Sequence, residues 1–170
     1  IIESLIANFA NNSVTTLNSY ASGGAIYNSY IIDSATGDFV NNVVNGLYAH
    51  GGAIYNEGTI NTINGDFVGN IANSILHENN SEAFSLGGAI YNEADIIFND
   101  TASFSSNSNA TNGIVGVGVI SGSAGAIYNN GGSFTFNSDA NFTSNKSSSS
   151  GGAIINNSAG DFTFNSNANF

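Results

Sequence analysis

A six-residue word returns five times along this chain: GGAIYN at Gly23 to Asn28, Gly51 to Asn56 and Gly87 to Asn92, AGAIYN at Ala124 to Asn129, and GGAIIN at Gly151 to Asn156. A second word, Phe-x-x-Asn, alternates with it at Phe9/Asn12, Phe39/Asn42, Phe67/Asn70, Phe104/Asn107 and Phe142/Asn145, and Phe170 ends the chain where a sixth would begin. From the start of each GGAI word to the next such Phe the spacings, by subtraction, are 16, 16, 17, 18 and 19 residues; from Phe to the next GGAI word they are 14, 12, 20, 20 and 9. One arc is nearly constant and the other absorbs insertions. That is the behaviour of a coil with a rigid body and a variable flank, stacked as a solenoid.

The spaces between the words exclude helix, because Gly, Asn, Ser and Thr dominate them and no apolar stripe of period 3.6 survives more than one turn. The segment Gly51 to Asn70 splits into short β-prone runs separated by Asn-Gly and Gly corners. Asp95-Ile96-Ile97-Phe98 and Ser133-Phe134-Thr135-Phe136 are richer versions of its middle run. The expected fold is all-β: a right-handed parallel β-helix of about five to six coils with three short strands per coil. At about 4.8 Å per coil the rod is on the order of 25 to 30 Å long. Residues 1–170 read as a single solenoid segment. The chain opens at Ile1 and stops inside a motif, so it reads as part of a longer repeat protein.

Stacking assigns roles to the words. Ile26, Ile54, Ile90, Ile127 and Ile154 form one internal column and Phe39, Phe67, Phe104 and Phe142 a second. Each buried side chain of this size contributes roughly 1.5 to 3 kcal/mol. The paired glycines supply a corner with positive φ and a close approach between coils. Asn28, Asn56, Asn92, Asn129 and Asn156 follow the strand where a corner is needed, in a left-handed conformation that Asn tolerates, and their amides form a ladder from coil to coil. If Ile points inward, Tyr27, Tyr55, Tyr91 and Tyr128 point outward. They are then either an exposed aromatic stripe able to adhere to glycan, protein or a sister rod, or a ladder of rings packed on one another; with the parity reversed they would be core.

The alternation of GGAI with FxxN resembles the paired repeat of the chlamydial polymorphic outer membrane proteins, and is similar to repeats in bacterial autotransporter passengers. The resemblance runs from Phe9 to Phe170. It implies a secreted, surface-displayed β-helix used for adhesion, often with many more coils and followed by a membrane β-barrel. It supplies no catalytic residues.

Composition narrows the chemistry. The net charge is −11, with Lys146 as the sole base. Phosphate backbones would repel such a chain, which excludes nucleic acid, and anionic membranes are disfavoured too. No apolar run is long enough to insert in a bilayer, and no basic, apolar leader opens the chain. Without Cys there is neither disulfide nor thiol chemistry. A polysaccharide lyase or hydrolase needs clustered carboxylates and a cation, whereas Lys146 sits in a Ser-rich turn and the acids are scattered. Asp38, Asp66 and Asp161 precede Phe in GDF segments, and Asp95 and Asp100 flank a strand. Asp38 and Asp66 occupy equivalent places in adjacent coils, where they are either solvated turn acids or a pair that a calcium ion could bridge. No other cofactor is expected. His50 and His77 have no second His or Cys at ligand spacing, which argues against metal binding or catalysis by either. The triplets Asn99 to Thr101 and Asn141 to Thr143 are expected by chance at this Asn content.

Two insertions, 71–86 and 108–123, are expected as loops side by side on one flank. The second contains Ile114-Val115-Gly116-Val117-Gly118-Val119-Ile120, an aggregation hazard unless it packs on the rod or on a partner. Neither terminus carries a cap for the open strand edges, so flanking coils lie outside this sequence or rods stack into a filament. The expectation is a non-enzymatic extracellular or cell-surface rod. Its partners would be itself, laterally or end to end, and a host or cell-surface protein or glycan.

Overall fold

The computed structural model describes residues 1–78, 80–113, 119–157 and 160–170, and its regular elements are all strands. These strands pair in parallel and in register. Ile26, Ile54, Ile90, Ile127 and Ile154 succeed one another across neighbouring strands, as do Phe9, Phe39, Phe67, Phe104 and Phe142. The chain is therefore a parallel β-helix of five to six coils. Equivalent asparagines in successive coils lie 28, 36, 37 and 27 residues apart.

Three sheets enclose the main core. The GGAI sheet contains Ile26–Asn28, Ile54–Asn56, Ile90–Asn92, Ile127–Asn129 and Ile154–Asn156. The second includes Thr59–Asn64, Ile96–Phe98, Phe134–Phe136 and Phe162–Phe164, and the third, the Phe sheet, includes Phe39–Val40, Phe67–Val68, Ala102–Ser105 and Ala140–Thr143. Ile54, Ile90 and Ile127 are fully buried, as are Phe39, Phe67 and Phe104; Ile26 and Phe142 are buried and Ile154 half-buried. The Phe rings stack face to face with centroids 4.6 Å apart for Phe39 on Phe67, 4.8 Å for Phe67 on Phe104 and 5.0 Å for Phe104 on Phe142. A further aromatic column, Phe98 to Phe136 to Phe164, meets them edge-on, with Phe104 and Phe136 at 87°. Such edge contacts between stacks fill a triangular core better than stacking alone.

The variable arc is not loop. It contributes two more sheets: Ser13–Thr15, Val43–Gly46, Ile71–Leu76 and Ser108–Gly113 in one, and Tyr20–Ser22, Tyr48–His50, Glu82–Leu86 and Val119–Ser123 in the other. The two pack on each other as a side lobe through small residues, with Ala21, Val44, Ala49 and Ala72 forming one buried cluster and Leu47, Leu76 and Ala83 another. The insertions expected as loops thus lengthen this lobe. Residues 114–118 of the apolar run fall outside the described residues, and Val119 is exposed.

Both glycines of the GGAI word have a physical reason. The first adopts a left-handed conformation, with φ between 61° and 67° at Gly23, Gly51, Gly87 and Gly151, and Ala124 takes the same conformation at 61°. A methyl on the second would lie 2.1 Å from the next coil's carbonyl oxygen at Gly52 and 2.0 Å at Gly88, so only hydrogen fits. The Asn that ends the word does not turn the chain left-handed, contrary to expectation, because it is the last residue of an extended strand. The left-handed corner lies elsewhere, at Asn11, Asn41, Gly69, Ser106 and Ser144, one residue before the Asn of each Phe-x-x-Asn word.

Candidate functional site

Two asparagine ladders run inside the rod. In the first, each Nδ2 donates to the Oδ1 of the next coil at 2.8 Å, from Asn28 through Asn56, Asn92 and Asn129 to Asn156. The first four are buried. The second follows the left-handed corner: Asn12, Asn42, Asn70, Asn107 and Asn145 are linked at 2.9 to 3.1 Å. Here the oxygens of Asn42, Asn70, Asn107 and Asn145 also accept the backbone N–H of the preceding coil's Asn, as Asn70 does from Asn42 at 3.0 Å, while their Nδ2 groups donate to a Phe carbonyl, as Asn70 does to Phe39 at 2.8 Å. The ladder therefore satisfies polar groups that the corner would otherwise bury unpaired. The recurrence of Asn at that place in the word was its sequence signal.

Further ladders run along the outside, half-buried to exposed on the lobe and exposed beyond the second sheet. Asn112 donates to Asn73 and Asn73 to Asn45 on the lobe; Asn165 donates to Asn137 and Asn137 to Asn99 beyond the second sheet. The acids belong to the same scheme. Asp38 accepts the N–H of Asp66 at 3.1 Å and Asp66 that of Ser103 at 3.0 Å, and Asp95 accepts that of Ser133 at 2.8 Å. Asp161 stands apart from Asp38 and Asp66, because Phe162 pairs with Phe134 in the second sheet. Among the described residues no group of three or more His, Cys, Asp and Glu gathers to hold a metal ion, and Lys146 is exposed.

The tyrosine stripe is corrected. Strand alternation does send Tyr27, Tyr55, Tyr91 and Tyr128 out of the main core, and their rings stack at 5.0, 5.0 and 5.6 Å. Only Tyr27 is exposed, however, at 55%; Tyr55, Tyr91 and Tyr128 are at 9%, 4% and 9%. The side lobe covers them, with Leu86, Ala124 and Ile155 packed against the rings. His50 joins the stack, 4.6 Å from Tyr91, and its burial lowers its pKa to about 4. Their hydroxyls reach acids at the edge: Tyr27 and Tyr55 both donate to Glu57, at 2.8 and 3.0 Å, and Tyr91 donates to Glu93 at 2.8 Å. Burial, then the Glu57 hydrogen bond, raises the Tyr55 pKa; for Tyr27 the Glu57 bond is the larger cause.

At the first coil the seam between lobe and GGAI sheet opens into a cavity of about 410 Å³. Tyr20, Tyr27, Tyr55, Glu57 and Ser22 line it, with Val14 at its lobe side. Ser22 pairs with His50, and His50 with Leu86, so the place that holds a large side chain in the next two coils holds a small one here. Tyr20 stacks on Tyr48 at 4.6 Å, and Tyr20 is 63% exposed.

Set against family models, curated proteins and solved structures, the chain matches none.

Proposed function

We propose that the protein is a non-enzymatic extracellular or cell-surface rod that presents repeated side-chain columns for adhesion to a protein or glycan. The observation that carries this reading is the use of polar side chains in columns that repeat from coil to coil. Exposed asparagines at 99, 137 and 165 recur at one spot per coil, as do the half-buried to exposed rings of Tyr20, Tyr48 and Phe84. A ligand that itself repeats can engage such a surface at several points, and linked weak contacts multiply into avidity. The seam cavity contains one carboxylate, Glu57, where paired-acid sugar hydrolysis uses two.

The runner-up is an extracellular scaffold that assembles end to end or side by side. It is favoured by self-complementarity, since each coil offers its neighbour the same Ile, Phe, Tyr and Asn that it receives. Beads coated with the protein and incubated with candidate cells or glycan arrays test the first reading, and electron microscopy of the same preparation tests the second. Saturable bead binding that purified protein competes away is expected. Uncoated-level binding on every surface, with continuous fibres in the images, would replace adhesion by scaffolding.

A further inference from the structure

The lobe and the core sheets do not end together. The core sheets run on through Ala140–Thr143 and Ile154–Asn156, whereas the lobe sheets stop one coil earlier, at Ser108–Gly113 and Val119–Ser123. The cause is the length of the arc. By subtraction, 20 residues separate Phe67 from Gly87 and Phe104 from Ala124, but only 9 separate Phe142 from Gly151. That short arc closes the root of the lobe and no more: Lys146 bridges to Ser108 and Ser150 to Ser123, the Asn109 N–H donates to the Lys146 carbonyl at 3.2 Å, and Ser147 Oγ donates to the Gly122 carbonyl at 2.9 Å. Farther out, no described strand pairs with this edge of either lobe sheet. In parallel pairing the N–H and C=O of alternate residues face the same side. Because Asn109 and Gly122 bond toward the short arc, Thr111, Gly113 and Ile120 turn their backbone groups toward the gap. The gap is internal to the chain, since the next level is already occupied by Lys146 to Ser150.

We propose that this edge is the interface of a two-fold dimer, in which an inverted second copy of the chain lays its own Ser108–Gly113 antiparallel on the first. Natural sheets guard their edges with Lys, Pro or a bulge. Here both strands pair in register without a bulge, the chain has no Pro, and no charged residue occurs between Asp100 and Asp139. Neutrality matters in a chain of net charge −11, because another copy is the partner that acids elsewhere would repel. Glu82 lies one strand back from the edge, so its counterpart would be three strand spacings away, about 14 Å, which exceeds the Debye length of about 8 Å at physiological salt.

Symmetry and shape select the same occupant. Ser108–Gly113 leads out from the rod and Val119–Ser123 returns, so a half-turn about an axis perpendicular to rod and strands reverses each strand and sets sheet against like sheet. The inverted lobe then fills the step that the first lobe leaves beside the core sheets, and the reverse holds for the other copy. With the axis on Asn112, Thr111 of one copy and Gly113 of the other exchange both N–H···O=C bonds on each side of the axis, using the gap-facing groups of this strand. Two short edges make a weak contact, so the dimer should form with rising concentration. The inference gives the side-by-side form of the scaffold reading a surface but does not rest on it, and loss of adhesion would leave it standing.

The test is oxidative cross-linking of the full chain carrying Asn112→Cys as its sole thiol. On the axis the two Cα atoms would lie about 4.5 Å apart, within disulfide range. A covalent dimer should form at least about tenfold faster than with Asn137→Cys, an equally exposed site on another face, because pairing raises the effective concentration of the thiols. Adding Thr111→Pro removes a gap-facing N–H and spares the bonds to Ile71–Leu76, so it should return the rate to that of Asn137→Cys. Amide exchange on the wild-type protein gives a second readout that needs no variant to fold. Protection of the Thr111 N–H should rise with protein concentration in step with the dimer fraction from sedimentation velocity. Equal cross-linking at 112 and 137, a dimer without Thr111 protection, open-ended growth into fibres, or a monomer that instead captures a synthetic peptide of the Ile71–Leu76 sequence would each overturn the proposal.

Discussion

Replacing Asn70 by Ala tests whether the corner ladder is structural. The Asn70 side chain accepts from the Asn42 backbone N–H at 3.0 Å and from Asn42 Nδ2 at 2.9 Å, and donates to the Phe39 carbonyl at 2.8 Å and to Asn107 Oδ1 at 2.9 Å. All of these atoms belong to fully buried residues, so water cannot replace the lost partner. Asn42 Nδ2 keeps its bond to the Phe9 carbonyl, which leaves its backbone N–H and one amide hydrogen orphaned. At about 1 to 3 kcal/mol for each buried donor left unpaired, the substitution should cost roughly 2 to 6 kcal/mol. Asn70→Asp is the sharper probe. It keeps both acceptors but sets a carboxylate oxygen against the Phe39 carbonyl and Asn107 Oδ1, so it should destabilise at least as much and partly recover as pH falls through the carboxyl range. Asn137→Ala is the control: it has the same ladder bonds, at 2.8 Å on each side, but is exposed, and it should stay within about 0.5 kcal/mol. Urea denaturation read by tyrosine fluorescence and far-ultraviolet circular dichroism measures all three, provided the two probes coincide. Equal costs for Asn70→Ala and Asn137→Ala, or a loss below about 1 kcal/mol at Asn70, would refute the reasoning.

His50 should make the protein acid-sensitive. Its native pKa of about 4 lies below the ordinary 6.5, so the unfolded chain takes up a proton that the native rod refuses. Stability from this residue is complete above pH 6.5 and falls by up to about 1.4 kcal/mol per pH unit toward pH 4. His50→Leu, matching its neighbour Leu86, should flatten that slope in urea midpoints measured from pH 7 to 4. Gly88→Ala, whose methyl would lie 2.0 Å from the Gly125 oxygen, should cost about 3 kcal/mol, whereas Gly152→Ala, with its nearest neighbour at 3.6 Å, should be close to neutral by thermal melting. Phe67→Ala opens the middle of the ring stack and should cost roughly 3 to 5 kcal/mol in the same assay.

The two words made the solenoid, the Ile and Phe columns and the GGAIYN ladder legible, because translation places each copy on its predecessor. What escaped the sequence lay in the variable arc. In Ile71–Leu76 the buried positions are Ala72, Ser74 and Leu76, while Ile71 and Ile75 are only half-buried. Two sheets packed closely select small side chains inward, so hydrophobic size pointed to the wrong face. Missing that lobe also left Tyr55, Tyr91 and Tyr128 without their cover. The left-handed corner was misplaced for a related reason. Asn supports both an extended strand end and a left-handed turn, and the turn falls on the residue before Asn42, Asn70 and Asn107, where Asn41, Gly69 and Ser106 share no residue type that would mark it.

Coil-on-coil stacking is tested most directly by electron paramagnetic resonance on spin labels placed at Asn99, Asn137 and Asn165, through cysteines introduced into a chain that has none. These exposed positions belong to consecutive coils, 38 and 28 residues apart, and their side chains bond one another at 2.8 Å. Labels about 5 Å apart in a parallel stack should collapse into one exchange-narrowed line, while each single label alone gives the usual three. Three resolved lines from the triple-labelled protein, indicating separations beyond about 15 Å where stacked strands would give about 4.8 Å, would contradict the parallel β-helix.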